Sequence, residues 1–394
     1  MAGAGQDDAM RVRHLAVDHG CTGDDIGSGR EPVKGSGALP RFFRSGLASV
    51  TRCNAGDRAD CHARAAAGKA GTQILPESPP MSSIIINVAP IFILILLGWL
   101  LVRFGVLQAE IGDGLGEFVF KVAVPVLMFQ TISEADFHGA SPFRLWAAYF
   151  SAVIVAWTLG HLIATRIFGR DERLGVLAGV SAAFANNVFI GLPLVGHIVG
   201  PAGIVPLSIL LAVHLPLMMV VGTVMMENAD RKVGGGSGRG LVQILGQVGM
   251  NLLRNPLVIG LAVGLLVHLV SLPIPVLVHD ITHQIAGMAA PAALISLGMA
   301  LNKYGVSGNL GLASLISVLK LVVMPAVVWC ACHIVGLSPT WTSALVLTSS
   351  VPTGINAYLI ANRFGVGHGL TASTITLTTA VGILSVSFWA WLVL

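Results

Sequence analysis

The sequence predicts an all-α integral membrane protein: ten transmembrane helices in two inverted five-helix repeats, with broken, crossing helices 4 and 9. Three observations predict it. Of 394 residues, 54% are hydrophobic and 11% charged, with a mean hydropathy of +0.81, whereas soluble domains carry about 25% charged residues. Ten apolar stretches follow Met81, each close to the roughly 20 residues a bilayer crossing needs. The spacing of prolines and glycines in the first five stretches returns in the second five.

The chain opens differently. Residues 1–80 hold 19 of the 42 Asp, Glu, Lys and Arg residues and show no sustained apolar period, as in GCTGDDIGSGREPVKGSG. Such a segment cannot bury enough apolar surface to fold alone. It also lacks the continuous apolar core of a signal peptide. It reads as a disordered tail or as an extension from a misplaced start codon, because Met81 opens at once into MSSIIINVAPIFILILLGWLL.

Spans are expected near 84–102, 115–133, 145–167, 175–199 and 203–225, then near 252–271, 280–301, 311–335, 341–362 and 370–394. Between the two sets lies MENADRKVGGGSGRG, a glycine-rich, charged stretch that reads as a flexible linker. The expected organisation is a tail (1–80), a first repeat (81–226), a cytoplasmic linker (227–250) and a second repeat (251–394). The five cysteines, Cys21, Cys53, Cys61, Cys330 and Cys332, form no CxxC pair. Neither a metal, a disulfide nor a cofactor is expected from their spacing.

Basic residues orient the spans. With the residues before the first span outside, the inner loops hold Arg103, Arg166, Arg170, Arg173, Arg231, Lys232, Arg239, Arg254, Lys303 and Arg363. The outer loops hold only Arg144. The positive-inside rule then puts both ends of the membrane domain outside the cell inner (plasma) membrane and the linker in the cytoplasm. The net charge of +4 is too small to imply nucleic acid or another polyanionic partner.

The repeat shows in a fixed offset of 166 residues. Pro90 and Gly98 correspond to Pro256 and Gly264, and Pro125 to Pro291; Asn186 falls on Pro352. Five is odd, so a second set of five enters from the opposite side, and the repeats have inverted topology. That architecture is characteristic of secondary transporters.

The fourth and ninth spans carry residues that do not suit a plain membrane helix, in AFANNVFIGLPLVG and SSVPTGINAYLIANRFG. A proline inside a helix removes a donor and clashes with the carbonyl four residues back. Pro193 is expected to disturb the Phe189 carbonyl, and Pro352 that of Thr348. Gly191 and Gly354 permit a bend and a close approach. Irregular backbone survives at membrane depth only when buried in protein or lining a wet cavity. Half-helix N-termini suit an anion. The expected substrate-binding residues are therefore Asn186, Asn187, Gly191, Pro193, Pro352, Thr353, Gly354 and Asn356. Lys320, in the eighth span, is a further candidate: it offsets substrate charge, pairs with carbonyls, or snorkels. His161, His197, His214, His268 and His333 have no metal-ligand spacing and read as packed or interfacial residues.

The stretch 81–394 resembles the bacterial branch of the auxin efflux carrier family. NNVFIGLPL, SSVPTGINAYLIA, RNPLVIGLAVGLL and IINVAPIFILILLGWLLVRFGVL carry the resemblance. It implies a substrate site where helices 4 and 9 cross. It also implies a scaffold of spans 1, 2, 6 and 7 that often forms a homodimer, and a moving domain of spans 3–5 and 8–10. The implied substrates are small organic anions such as carboxylates, moved by an elevator-type mechanism with a proton or sodium ion as possible coupling partner. A sodium-coupled symporter of the bile-acid type shares the inverted-repeat plan. An ion channel would need a filter or a ring of charges, and neither is visible. An enzyme would need acid, base and nucleophile clustered at the span ends, and no such cluster stands out.

Overall fold

A computed structural model describes residues 81–135, 141–232, 253–308 and 310–394, with 246 and 250 between them. The expected tail (1–80) and most of the expected linker lie outside the described residues. The described chain is helical throughout: α1 Met81–Arg103, α2 Ala109–Ser133, α3 Pro142–Ile167, α4 Glu172–Ala183, α5 Asn187–Ile198, α6 Pro201–Lys232, α7 Pro256–Val270, α8 Val276–Lys303, α9 Leu310–Val335, α10 Pro339–Ser350, α11 Asn356–Phe364 and α12 His368–Val393. Seven of these, α1, α2, α3, α6, α8, α9 and α12, are long and apolar enough to cross a membrane. Large apolar side chains such as Ile86, Ile93, Leu266 and Leu384 are exposed on the outside of the bundle. Lipid, rather than water, suits such a surface.

Two boundaries differ from the sequence reading. α2 begins at Ala109 rather than near 115, so the polar turn AEIGDGLGEF is helical. Glu110 in its first turn complements the positive end of the helix dipole, and the turn packs on α8. α6 runs on to Lys232, through residues expected in the linker. Its end is tied to the start of α4 by Arg173 Nη1 and Asp230 Oδ1, 3.3 Å apart.

Prolines set the irregularities. Four π-helical turns occur among the described residues, and three of them, Val119–Ala123, Asn187–Gly191 and Leu319–Val323, are followed within two residues by Pro125, Pro193 and Pro325. A wide turn moves the carbonyl four residues back away from the proline ring that would strike it. Leu321, four residues before Pro325, shows what becomes of the freed carbonyl. It accepts Trp389 Nε1 at 3.0 Å and Ser385 Oγ at 2.7 Å, which pins α9 to α12.

Packing falls into two groups. α1 packs on α8, α7 on α2, and α2 on α8. α3, α4, α6, α9, α10 and α12 pack on one another, and α12 also packs on α1, which joins the two groups. The first group is joined through glycines. A Cβ on Gly98 would sit 2.1 Å from the Ile295 carbonyl oxygen, and one on Gly264 would sit 2.6 Å from that of Phe129. Both halves of this pair of contacts are related by 166 residues, Gly98 to Gly264 and Phe129 to Ile295. Only glycine lets the backbones approach so closely.

Candidate functional site

The site begins where two helices stop. α4 ends at Ala183, and Phe184 is extended at φ −89°, ψ 96°. α10 ends at Ser350, and Val351 is extended at φ −69°, ψ 158°. Val351 precedes Pro352, and a residue before proline is pushed out of the helical region. The two extended stretches then cross. Asn186 N donates to the Pro352 carbonyl at 3.0 Å, and Gly354 N donates to that of Phe184 at 2.7 Å. Ala185 and Thr353 form an antiparallel bridge between them.

Unpaired backbone would be costly at this depth, and side chains supply what the crossing leaves open. Thr353 Oγ1 donates to the Ser181 carbonyl at 2.8 Å, closing the last turn of α4. Thr353 N donates to Thr378 Oγ1 at 3.1 Å. Gly354 is closely packed, since a Cβ there would lie 3.2 Å from the carbonyl oxygens of both Phe184 and Ala185. Gly191 faces Thr348, whose hydroxyl would lie 2.7 Å from a Cβ.

Asn187 ties the crossing to its surroundings. Its Oδ1 accepts Thr348 Oγ1 at 3.0 Å, from α10. Its Nδ2 donates to Tyr149 Oη at 3.2 Å and lies 3.3 Å from His214 Nδ1. Four elements, α3, α5, α6 and α10, therefore meet in one buried polar group.

A cavity of about 500 Å³ opens beside it. The first turns of α5 and α11 both reach it, through Asn186, Asn187 and Asn356. A further wall belongs to α2 and α8, through Asp113, Gly116, Ser296 and Lys303. Lys303 Nζ pairs with Asp113 across that wall. Tyr304 and Tyr358 meet edge to face there, with centroids 4.9 Å apart. Two helix N-termini and neutral amides suit an anion, while the Lys303 charge is already paired with Asp113.

The expected site residues divide accordingly. Asn186, Asn187 and Asn356 come together on the cavity. Pro352, Thr353 and Gly354 build the crossing behind it, and Gly191 and Pro193 shape the start of α5; none of these five lines the cavity. Lys320 is fully buried and stands apart from the lining, with Nζ donating to the Ser349 carbonyl at 2.5 Å. That carbonyl belongs to the last turn of α10, where carbonyls lack helical partners and the dipole is negative. Sequence reasoning missed Asp113, Lys303 and His214. Asp113 was hidden by starting α2 too late. Lys303 entered only as a loop charge and His214 only as a packed or interfacial ring, since nothing local in the sequence pointed to more.

A family model described as membrane transport protein matches residues 83–390. An uncharacterized transporter of Methanothermobacter thermautotrophicus is 26% identical over 77% of this chain and 96% of its own length. A protein of Rhizobium meliloti named "Putative malonate transporter" is 24% identical over 78% of this chain and 94% of its own. An uncharacterized transporter of Methanocaldococcus jannaschii is 23% identical over 80% and 99%.

Proposed function

Since the chain belongs to the auxin efflux carrier family of membrane transport proteins, we propose that it is a secondary transporter of small organic anions, carboxylates foremost, working by alternating access of an elevator type. The observation that carries this reading is the crossing, which brings the first turns of two half-helices and Asn186, Asn187 and Asn356 to one cavity. The name of the Rhizobium meliloti relative makes malonate the natural probe.

The movement follows from the cavity's two walls. In this reading α1, α2, α7 and α8 form the scaffold, held together by the glycine contacts, and pair two chains in a homodimer. The other helices carry the crossing past Asp113 and Lys303. The contacts related by 166 residues support two inverted repeats of five spans, with α4 and α5 as one broken span and α10 and α11 as the other. The repeats occupy 81–226 and 251–394, and residues 1–80 lie outside the transporting part. By the charge of its loops, the Lys303 end faces the cytoplasm of the inner membrane. No span centre in the sequence carries Asp or Glu, so a sodium site would rest on neutral oxygens alone, and proton coupling or uncoupled movement is favoured.

Titration calorimetry of the purified protein with malonate tests the reading. Asn187→Ala and Asn356→Ala are each expected to weaken binding by about 1–3 kcal/mol, the cost of a buried polar group left unpaired. Normal binding and transport by both variants would locate the site elsewhere.

A further inference from the structure

We propose that His214 is a substrate-contacting residue of this cavity, its Nε2–H donating a hydrogen bond to the transported anion. The proposal rests on the organic-anion reading above. His214 stands in the middle of α6, 1% exposed, yet it lines the same cavity as Asn187 and Asn356. Its Nδ1 faces Asn187 Nδ2 at 3.3 Å. An amide NH₂ group cannot accept, so Nδ1 is the acceptor and the neutral ring carries its proton on Nε2. That Nε2 is buried and has no hydrogen-bond partner.

A buried donor without a partner is uncommon, because its lost hydration is not replaced. Here the surroundings hold the ring in place rather than satisfy it. The rings of Tyr149 and Phe184 lie perpendicular to it at 5.3 and 5.2 Å, and Phe150 lies nearly parallel at 6.3 Å. None of the three makes a hydrogen bond to Nε2, which is left wanting an acceptor. A ligand in the cavity can supply it, and the ligand must present an acceptor. A carboxylate does; an ammonium group does not.

The tautomer is itself a product of the crossing. Thr348 of α10 donates to Asn187 Oδ1, which turns Nδ2 toward His214. Both broken spans thus act together to leave Nε2 as the donor nitrogen of a ring that lines the cavity. A histidine that merely packed would need no such arrangement and would carry its proton wherever an acceptor stood.

Malonate titration of the purified full chain tests this, together with ¹⁵N spectra of ring-labelled histidine. His214→Phe keeps a ring among Tyr149, Phe150 and Phe184 and removes both nitrogens. His214→Gln places an amide nitrogen near the Nε2 position, and His214→Asn places one near Nδ1. Affinity is expected to fall about 10- to 100-fold in His214→Phe and His214→Asn, as for a lost hydrogen bond to a charged group, and to recover partly in His214→Gln. The histidine resonance missing from His214→Phe should have its protonated nitrogen at Nε2 and should shift when malonate is added to the native protein. If His214→Phe does not fold, the resonance is assigned from its absence in His214→Gln and decides alone: one that stays still on malonate binding overturns the proposal. Native affinity in a folded His214→Phe overturns it as well. If Asn187→Ala and Asn356→Ala lose malonate while His214→Phe keeps it, the crossing stands and the role of His214 falls. If the native protein binds neither malonate, succinate, citrate nor acetate, the anion reading falls and takes this proposal with it.

Discussion

Lys320 separates a structural cation from a substrate-binding one. Its ammonium group is fully buried and is held by the Ser349 carbonyl at 2.5 Å and Met324 Sδ at 3.5 Å. Replacement by Met keeps most of the side-chain volume and removes the charge. Two effects then oppose each other. The last turn of α10 loses its partner, which costs about 1–3 kcal/mol. A cation no longer has to be inserted at membrane depth, which recovers about 2.5–3.5 kcal/mol on insertion scales. The difference is small, so Lys320→Met is expected to unfold within about 2 kcal/mol of the native protein. Lys320→Ala also empties a close-packed position, and truncations of that size cost about 2–5 kcal/mol. It should therefore be clearly less stable than the Met variant. Thermal unfolding in detergent ranks the three proteins, and malonate titration follows on those that fold. If Lys320 serves the end of α10, Lys320→Met keeps malonate affinity within about threefold, a difference below 1 kcal/mol. A Met variant as stable as the native chain but ten or more times weaker for malonate would refute this reasoning. It would return Lys320 to the substrate.

Gly98→Ala and Gly264→Ala each push a methyl group into a backbone carbonyl and should destabilise the protein by about 1–3 kcal/mol, the usual cost of overpacking. Gly114→Ala and Gly287→Ala meet open space and should leave the unfolding temperature unchanged or raised. Asn187→Asp offers only acceptors, so the His214 proton should move to Nδ1, visible in the ¹⁵N spectrum, and malonate affinity should fall at least tenfold from charge repulsion and the lost donor. With Cys330 and Cys332 replaced, a cysteine at Tyr358 should react with a membrane-impermeant thiol reagent from one side, and malonate should change that rate; unchanged labelling at every malonate concentration would count against alternating access. A chain starting at Met81 should insert and bind malonate as the full chain does, and loss of binding would place residues 1–80 within the working unit.

What could be read in advance was whatever the backbone itself enforces. Pro193, Pro352, Gly191 and Gly354 marked the breaks, because proline removes a donor and glycine permits close approach wherever they occur. The break at Pro352 follows the rule for residues before proline, with Val351 extended. Pro193 acted less directly: a π turn over Asn187–Gly191 absorbs the clash, so α5 continues through the proline instead of kinking at it. Partners were another matter. Lys320 was legible as a buried cation but not as the cap of α10, because Ser349 lies 29 residues away on a different helix. Asp113 looked like a loop residue, since a glycine-rich acidic turn has poor helix propensity until α8 packs against it.

His214 marks the boundary most sharply. In SILLAVHLPLMMVV it is a single histidine among apolar residues, and nothing local distinguishes a packed ring from a donor. Its meaning depends on Asn187 Nδ2, whose direction depends on Thr348, whose helix is positioned by the crossing at Ala185 and Thr353. Each link is between segments far apart in the chain. Local sequence fixes where the backbone must break. Which nitrogen of a buried ring is left without an acceptor is decided only after both breaks have met, and that is why the same crossing that makes the cavity can also set the chemistry of its wall.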